Sequence, residues 1–96
     1  MRPYTLNLDG SNLQLTLSGD LTIAHARELA DALKPTLQPG VTLAIDASLL
    51  TRLDAAILQL FLACAQVAAD TTLTGTSPAW SAAFTRYASS DPFRIT

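Results

Sequence analysis

Three aspartates stand where predicted strands end or a predicted helix begins. Asp20 follows the second predicted strand, Asp46 closes the third, and Asp54 opens the second predicted helix. Because the carboxyl ends of parallel strands meet at one edge of an open α/β sheet, we expect these carboxylates to gather there. Carboxylate oxygens suit Mg²⁺, so a metal or nucleotide sensor is one hypothesis for this edge. Aspartate is also a common cap and turn residue, and we favour that structural role.

The sequence holds one histidine and one cysteine, and neither has an obvious catalytic partner. His25 lies in the first turn of the first predicted helix, where we expect a surface or capping role. Cys64 lies among apolar residues, with no nearby cation or helix N-terminus to lower its pKa, so we expect a small buried hydrophobe. The sequence contains no glycine-rich phosphate loop and no nucleophile-elbow spacing. We therefore expect neither an enzyme nor a cofactor.

Length and charge limit the remaining classes of function. A chain of 96 residues and 10.2 kDa predicts a single domain over residues 1–96. Its net charge is −2 and its basic residues are scattered, which argues against nucleic acid as a partner. The most apolar run, residues 55–69, is shorter than the roughly 20 residues that span a bilayer. With one cysteine and no apolar leader-like core at its start, the sequence predicts a cytoplasmic protein.

Hydrophobic periodicity predicts seven elements and one terminal segment. Alternation with a period of two indicates strands, and spacings of three or four indicate helices. The predicted elements are strands at 4–8 and 13–18 joined by a tight turn, a helix at 22–34, a strand at 41–46, a helix at 55–69, a strand at 71–74 and a last helix that begins at Pro78. Ser77 is the expected N-cap of this last helix, and Trp80, Phe84 and Tyr87 form its expected buried face. Residues 92–95 either pack back on the domain or add an edge strand.

This order predicts an α/β domain with a mixed four- to five-stranded sheet. Right-handed crossovers between parallel neighbours place the connecting helices mainly on one face. Polar residues at alternate strand positions, such as Thr5, Gln14 and Thr16, indicate that the other face is open to water. A doubly wound fold would need both faces to be apolar, so the pattern argues against one.

The second predicted helix carries no charged side chain. At 100° per residue it has two opposite stripes, one of Ala55, Gln59, Leu62 and Gln66 and the other of Ile57, Phe61, Cys64 and Ala68. We expect the second stripe to face the sheet. The first is then covered either by the C-terminal tail or, as we favour, by a protein partner, with Leu62 as a binding anchor outside the core.

Three segments in this order resemble the sulfate transporter and anti-sigma factor antagonist (STAS) domain. They are LSGDLT at 17–22, LAIDAS at 43–48 and LDAAILQLFLA at 53–63. The resemblance extends over nearly the whole chain and implies the same order of elements.

The resemblance also implies a phosphorylation switch that this sequence lacks. In regulatory members of the family, a partner kinase phosphorylates the hydroxyl residue after the acid that begins the second helix. Asp54 matches that acid, Ala55 the phosphoacceptor and Ile57 a glycine of the motif. Alanine has no hydroxyl, so position 55 is not phosphorylatable. Ser48 and Thr51 are the nearest substitutes, and we expect them to be ordinary loop hydroxyls.

From this resemblance we expect a small regulatory protein of the anti-sigma factor antagonist type. It would dock through the start of the second helix and the loops after Gly19 and Asp46. The expected partner is an anti-sigma factor with a histidine-kinase-like ATPase fold, without membrane insertion. The alternatives are an accessory subunit of a phospholipid-trafficking ABC transporter ATPase and a chemotaxis-cluster adaptor; self-association stays open. The expected contact residues are Asp20, Asp46, Ser48, Asp54, Ala55, Gln59, Leu62 and Gln66.

Overall fold

A computed structural model of the chain describes residues 3–87 and 93–95. Along these residues the elements are β1 (Tyr4–Asp9), β2 (Asn12–Leu21), a 3-10 turn (Ile23–His25), α1 (Ala26–Leu33), β3 (Thr42–Leu53), α2 (Ala55–Val67), β4 (Asp70–Gly75), α3 (Pro78–Tyr87) and β5 (Arg94–Ile95). The predicted order of strands and helices is confirmed. None of the described helices is long and apolar enough to cross a membrane.

The strands form one mixed sheet in the order β1-β2-β3-β4-β5. β1 pairs with β2 antiparallel, and each later neighbour is parallel. The hairpin turn consists of Gly10 and Ser11, and Gly10 has a φ of 62°, a conformation that glycine adopts without steric cost. The predicted α/β fold with a mixed four- to five-stranded sheet is confirmed.

The helices cover one face of this sheet. In β2, Leu13, Leu15 and Leu17 are at most 1% exposed, whereas the intervening Gln14 and Thr16 are exposed. Strands covered on both faces would bury both sets of side chains. The open second face is therefore confirmed, and it follows from the alternation in the sequence.

An aromatic cluster joins the last two helices to the C-terminal strand. The Trp80 ring centroid lies 5.9 Å from that of Phe61, 4.7 Å from Phe84 and 5.5 Å from Phe93. All four side chains are buried, and β5 pairs with β4, so residues 93–95 both pack back on the domain and add an edge strand. Position 92 lies outside the described residues. Tyr87 was expected on the same buried face, but it is 42% exposed because it lies at the end of α3.

Two strands extend further than the sequence predicts. β2 continues through Gly19 to Leu21, and β3 continues past Asp46 to Leu53, where loops were expected. The two extensions pair with each other, but register shifts interrupt the ladder. A β-bulge breaks the alternation of buried and exposed residues, so the pattern no longer resembles a strand. The expected docking loops after Gly19 and Asp46 are therefore strand segments.

The single histidine and the single cysteine have the structural roles expected of them. The Thr22 backbone N–H donates to His25 Nδ1 over 3.3 Å, which completes a capping interaction at the 3-10 turn. Cys64 is buried, and its burial raises the pKa of the thiol to about 11. The thiol is therefore protonated at neutral pH and packs as a small hydrophobe.

Candidate functional site

Asp54 connects the beginnings of two helical segments at one end of the sheet. Its backbone N–H donates to the Leu21 carbonyl over 3.0 Å, and its Oδ2 accepts from the Ile23 N–H over 3.0 Å. Arg52 Nε lies 3.3 Å from the other carboxylate oxygen. Asp54 occupies the N-cap position of α2, but its side chain makes no hydrogen bond to that helix. The expected side-chain cap is therefore wrong: the carboxylate instead satisfies the first N–H of the 3-10 turn.

Removing this carboxylate should loosen the start of the 3-10 turn. We expect Asp54→Ala to lower the free energy of unfolding by about 0.5–2 kcal/mol, the usual cost of losing a side-chain acceptor at a helix start. Asp54→Asn keeps an acceptor oxygen and is the matched control, which should lose less. Denaturant titration of both variants measures the difference. Equal losses would mean that the Ile23 hydrogen bond contributes nothing.

A second aspartate links the extended ends of β2 and β3. Thr51 Oγ1 donates to Asp20 Oδ1 over 2.6 Å, and both side chains are exposed. Thr51 was expected on a loop, but it lies in β3, opposite the end of β2. Asp20 thus lies close to the Arg52–Asp54 pair at the end of the sheet from which α2 begins.

The third aspartate lies apart from this end, on the open face of the sheet. Asp46 lines a depression of about 230 Å³ with Gln14, Thr16 and Thr74. Its Oδ1 accepts from the Ser48 backbone N–H over 3.0 Å and from the Ser48 hydroxyl over 2.7 Å. Both hydrogen bonds stabilise the charged form, the backbone bond most, and they lower the pKa of Asp46 from its ordinary value of 3.8.

Removing the Ser48 hydroxyl should change the pKa of Asp46. We expect Ser48→Ala to raise the pKa of Asp46 toward its ordinary value, while Thr51→Ala, the matched control, leaves it unchanged. Because the folded-state pKa is lowered, this interaction stabilises the fold above about pH 3.8 and is lost as the pH falls through the folded-state value. An NMR titration of the Asp46 carboxyl carbon tests this. An unchanged pKa in Ser48→Ala would contradict the assignment.

Gly75 accounts for the close packing around this third aspartate. A Cβ atom at position 75 would overlap Asp46 Oδ1 and lie 3.1 Å from Ser48 Cβ. Any larger residue would displace the hydrogen-bonded pair. The hydrogen bonds between Asp46 and Ser48 in β3 therefore depend on a glycine at position 75 of β4.

The three aspartates do not combine into a metal site. Each carboxylate is held by a different hydrogen-bonding partner, and Asp46 is separated from the other two. Over residues 3–87 and 93–95, no three His, Cys, Asp or Glu side chains are grouped so as to hold a metal ion. The expectation that all three acids gather at one edge is thus correct only for Asp20 and Asp54.

Two exposed apolar side chains belong to the segments that adjoin Asp54, one to the 3-10 turn and one to the extension of β3. Ile23, whose N–H is bonded to Asp54, is 70% exposed, and Leu49, in the extension of β3, is 65% exposed. Sequence reasoning missed both residues. Ile23 lies within the helix predicted at 22–34, and Leu49 lies in the loop predicted after Asp46. The adjacent leucines at 49 and 50 were an available signal, because neighbours in an extended chain point to opposite sides.

A groove lies between the end of β3 and α3. Its volume is about 340 Å³, and its polar lining includes Arg52, Asp54, Arg86 and Tyr87. Thr51, Leu53 and three alanines of α3 form the rest of its wall. Both guanidinium groups belong to exposed residues, so the groove can receive an acidic or amide side chain from outside.

The outer face of α2 differs from the expected stripe at one position. Gln59 and Gln66 are exposed and Ala55 is half-buried, whereas Ile57, Phe61 and Cys64 face the core as predicted. Leu62 is not part of the buried core, but it is partly buried against that core and so less exposed than the stripe implied. α2 contacts both α1 and α3, and these flanking helices widen the arc of α2 that is shielded from water.

Comparisons with known proteins agree with this architecture. Residues 4–91 match the family described as Mlab, STAS domain. The structure of the anti-sigma factor antagonist SpoIIAA in its unphosphorylated form superposes with a TM-score of 0.73 and 19% identity, over 97% of this chain and 86% of that chain. A crystal structure of Mglu superposes with a TM-score of 0.54 and 19% identity, over 65% of this chain and 16% of that chain.

No curated protein matches the chain closely enough to serve as a relative. The family match nevertheless covers most of the sequence, and it agrees with the mixed sheet, the three helices and the SpoIIAA-like fold. The chain belongs to the STAS domain family of the Mlab type.

Proposed function

We propose that this protein is a small, non-enzymatic regulator of the anti-sigma factor antagonist type that acts by binding a protein partner. The main observation is the exposure of two large apolar side chains, Ile23 in the 3-10 turn bonded to Asp54 and Leu49 in the strand that leads to Asp54. Burying a large exposed hydrophobe against a partner is favourable, and we take these two side chains as parts of one binding surface.

The proposed contact surface, here called the helix-start surface, combines these two residues with the polar groups around them. It consists of Asp20, Ile23, Leu49, Arg52, Asp54, Ala55 and Gln59. Gln66, which we also expected to take part, lies at the other end of α2 and is left out. The apolar pair supplies contact area, and the exposed charges and amides supply hydrogen bonds at its rim. Leu62, which we expected to take part, is partly buried against the core and is left out. Asp46 and Ser48, which we expected to take part, line the open face instead and are left out.

We also propose that binding is not controlled by a phosphate on this surface. Ala55 has no hydroxyl, and the nearby hydroxyls of Thr51 and Ser48 already donate to Asp20 and Asp46. A phosphate on either residue would place negative charge against a carboxylate. We expect mass spectrometry of the protein from its own host to find positions 48 and 51 unmodified. A phosphate on either residue would contradict the proposal that phosphorylation does not control binding.

A constitutive accessory subunit of a phospholipid-trafficking ABC transporter ATPase is the second candidate. The specific observation that favours it is Ala55, because a permanent subunit needs no phosphorylation switch. A chemotaxis-cluster adaptor would fit the same observation. All three functions would place the protein in the cytoplasm with a protein partner. We propose that the helix-start surface binds that partner in each case.

The identity of the partner distinguishes these functions. The experiment is affinity capture from a lysate of the host, with the wild-type domain and Ile23→Arg as parallel baits. A histidine-kinase-like ATPase that is captured only by the wild type supports the antagonist function, and a transporter ATPase supports the accessory subunit. If every captured protein binds both baits equally, the helix-start surface is not the docking site.

A further inference from the structure

The outer edge of β1 has none of the features that usually block an edge strand. Over residues 3–87 and 93–95, no strand pairs with this edge. Exposed edges in natural proteins are commonly protected by proline, lysine or a β-bulge. The strand from Tyr4 to Asp9 contains none of these, its register with β2 is continuous, and its only charge is the terminal Asp9. This edge is therefore competent to pair with another strand.

The pattern of hydrogen bonds defines which backbone groups point outward. The Ser18 N–H donates to the Pro3 carbonyl over 2.8 Å, so residue 3 and every second residue after it bond to β2. In an antiparallel ladder the intervening residues direct their N–H and C=O groups to the other side. The backbone groups of Leu6 and Leu8 thus point to the outer edge.

The side chains of the same residues leave the core progressively along the strand. Tyr4 is 5% exposed, Leu6 is partly buried, and Leu8 is 46% exposed. All three lie on the helix-covered side of the sheet, because the alternate residues Thr5 and Asn7 are on the open side. The covering layer therefore stops short of Leu8 and leaves an apolar strip along the edge.

We propose that this edge binds a second copy of the chain by antiparallel pairing of the two β1 strands. A two-fold axis at Leu6 brings Leu6 opposite its counterpart and places Leu8 over the second copy's Tyr4. This arrangement pairs residues 4–8 of one copy with residues 8–4 of the other, which is all of the strand except Asp9. A shift of two residues toward the turn would oppose Tyr4 to Gly10, whose φ of 62° ends the strand. The result is a symmetric dimer with a continuous ten-stranded sheet, which leaves the helix-start surface free.

Mixed cysteine variants test this register directly. In the proposed dimer Thr5 of one copy lies opposite Asn7 of the other, as a pair without hydrogen bonds at the new seam. Such pairs have Cα atoms about 4.5 Å apart, within the range that a disulfide bridges. We expect a mixture of Thr5→Cys and Asn7→Cys chains to form a covalent heterodimer under mild oxidation. Each variant alone should form little, because its two cysteines would be offset by two residues.

The buried Cys64 is common to both variants, so the wild-type chain is the control for its reactivity. Heterodimer yield equal to that of either variant alone would overturn the register. No cross-link in any mixture, with both variants folded by circular dichroism, would overturn the dimer itself.

Sedimentation of the unmodified protein provides a second, independent test. We expect wild type to show concentration-dependent dimerisation, and Leu8→Lys to weaken it at least tenfold, because lysine is a common blocker of strand edges. Val67→Lys, which alters an exposed residue at the end of α2, should dimerise like the wild type. A wild type that stays monomeric at millimolar concentration, or equal effects of the two substitutions, would contradict the proposal.

Discussion

Phe61→Ala should lower the free energy of unfolding by about 3–5 kcal/mol, the usual cost of truncating a buried aromatic residue. Phe61 is fully buried, and its ring stacks on Trp80 at a centroid distance of 5.9 Å. Trp80 in turn contacts Phe84 and Phe93, so the cavity left by the substitution would open at the centre of the aromatic cluster. Denaturant titration measures the loss.

Gln59→Ala is the matched control for this prediction, because Gln59 lies on the same helix and is exposed. Surface substitutions of this kind usually change stability by no more than about 0.5 kcal/mol. A loss below about 1 kcal/mol for Phe61→Ala would mean that α2 is rotated relative to the sheet.

Leu49→Arg should weaken partner binding at least tenfold, which corresponds to about 1.4 kcal/mol, while the domain stays folded. Leu49 is 65% exposed, so its replacement removes little from the core. In the complex, the same position would place a charged side chain in a contact from which water is excluded. Titration of the captured partner with the purified variant measures the affinity, and thermal melting measures the stability.

Val67→Arg is the control for this second prediction. Val67 is 43% exposed and is the last residue of α2, at the opposite end of that helix from the helix-start surface. It should bind the partner with the affinity of the wild type. If the two arginine variants bind equally well, or if Leu49→Arg unfolds the domain, Leu49 is not a binding residue.

The fold could be predicted because its signals are local and repeated. The alternation in β2 encodes one covered and one open face, and the spacing of Ile57, Phe61 and Cys64 identifies the buried side of α2. Each of these patterns depends on neighbours within one element. The sequence therefore supports the element order, the layer arrangement and the STAS resemblance together.

The site could be predicted only in part because its geometry depends on contacts between distant segments. Asp54 bonds to Ile23, which is 31 residues away, and Asp20 bonds to Thr51 at the same separation. Register shifts in the extensions of β2 and β3 break the alternation of buried and exposed residues. The sequence pattern therefore did not indicate that Leu49 lies in a strand. The partial burial of Leu62 could not be predicted either, because helix angles do not show how far neighbouring helices cover a face.

Amide hydrogen exchange of the domain with and without its captured partner tests most directly whether the helix-start surface binds that partner. Binding should slow exchange in the 3-10 turn at residues 23–25, in the end of β3 at 49–53 and in the first turn of α2. Exchange in β1 and at the open-face positions around Asp46 should be the same in both samples at matched domain concentration. Protection confined to the open face, with the start of α2 unchanged, would contradict the account.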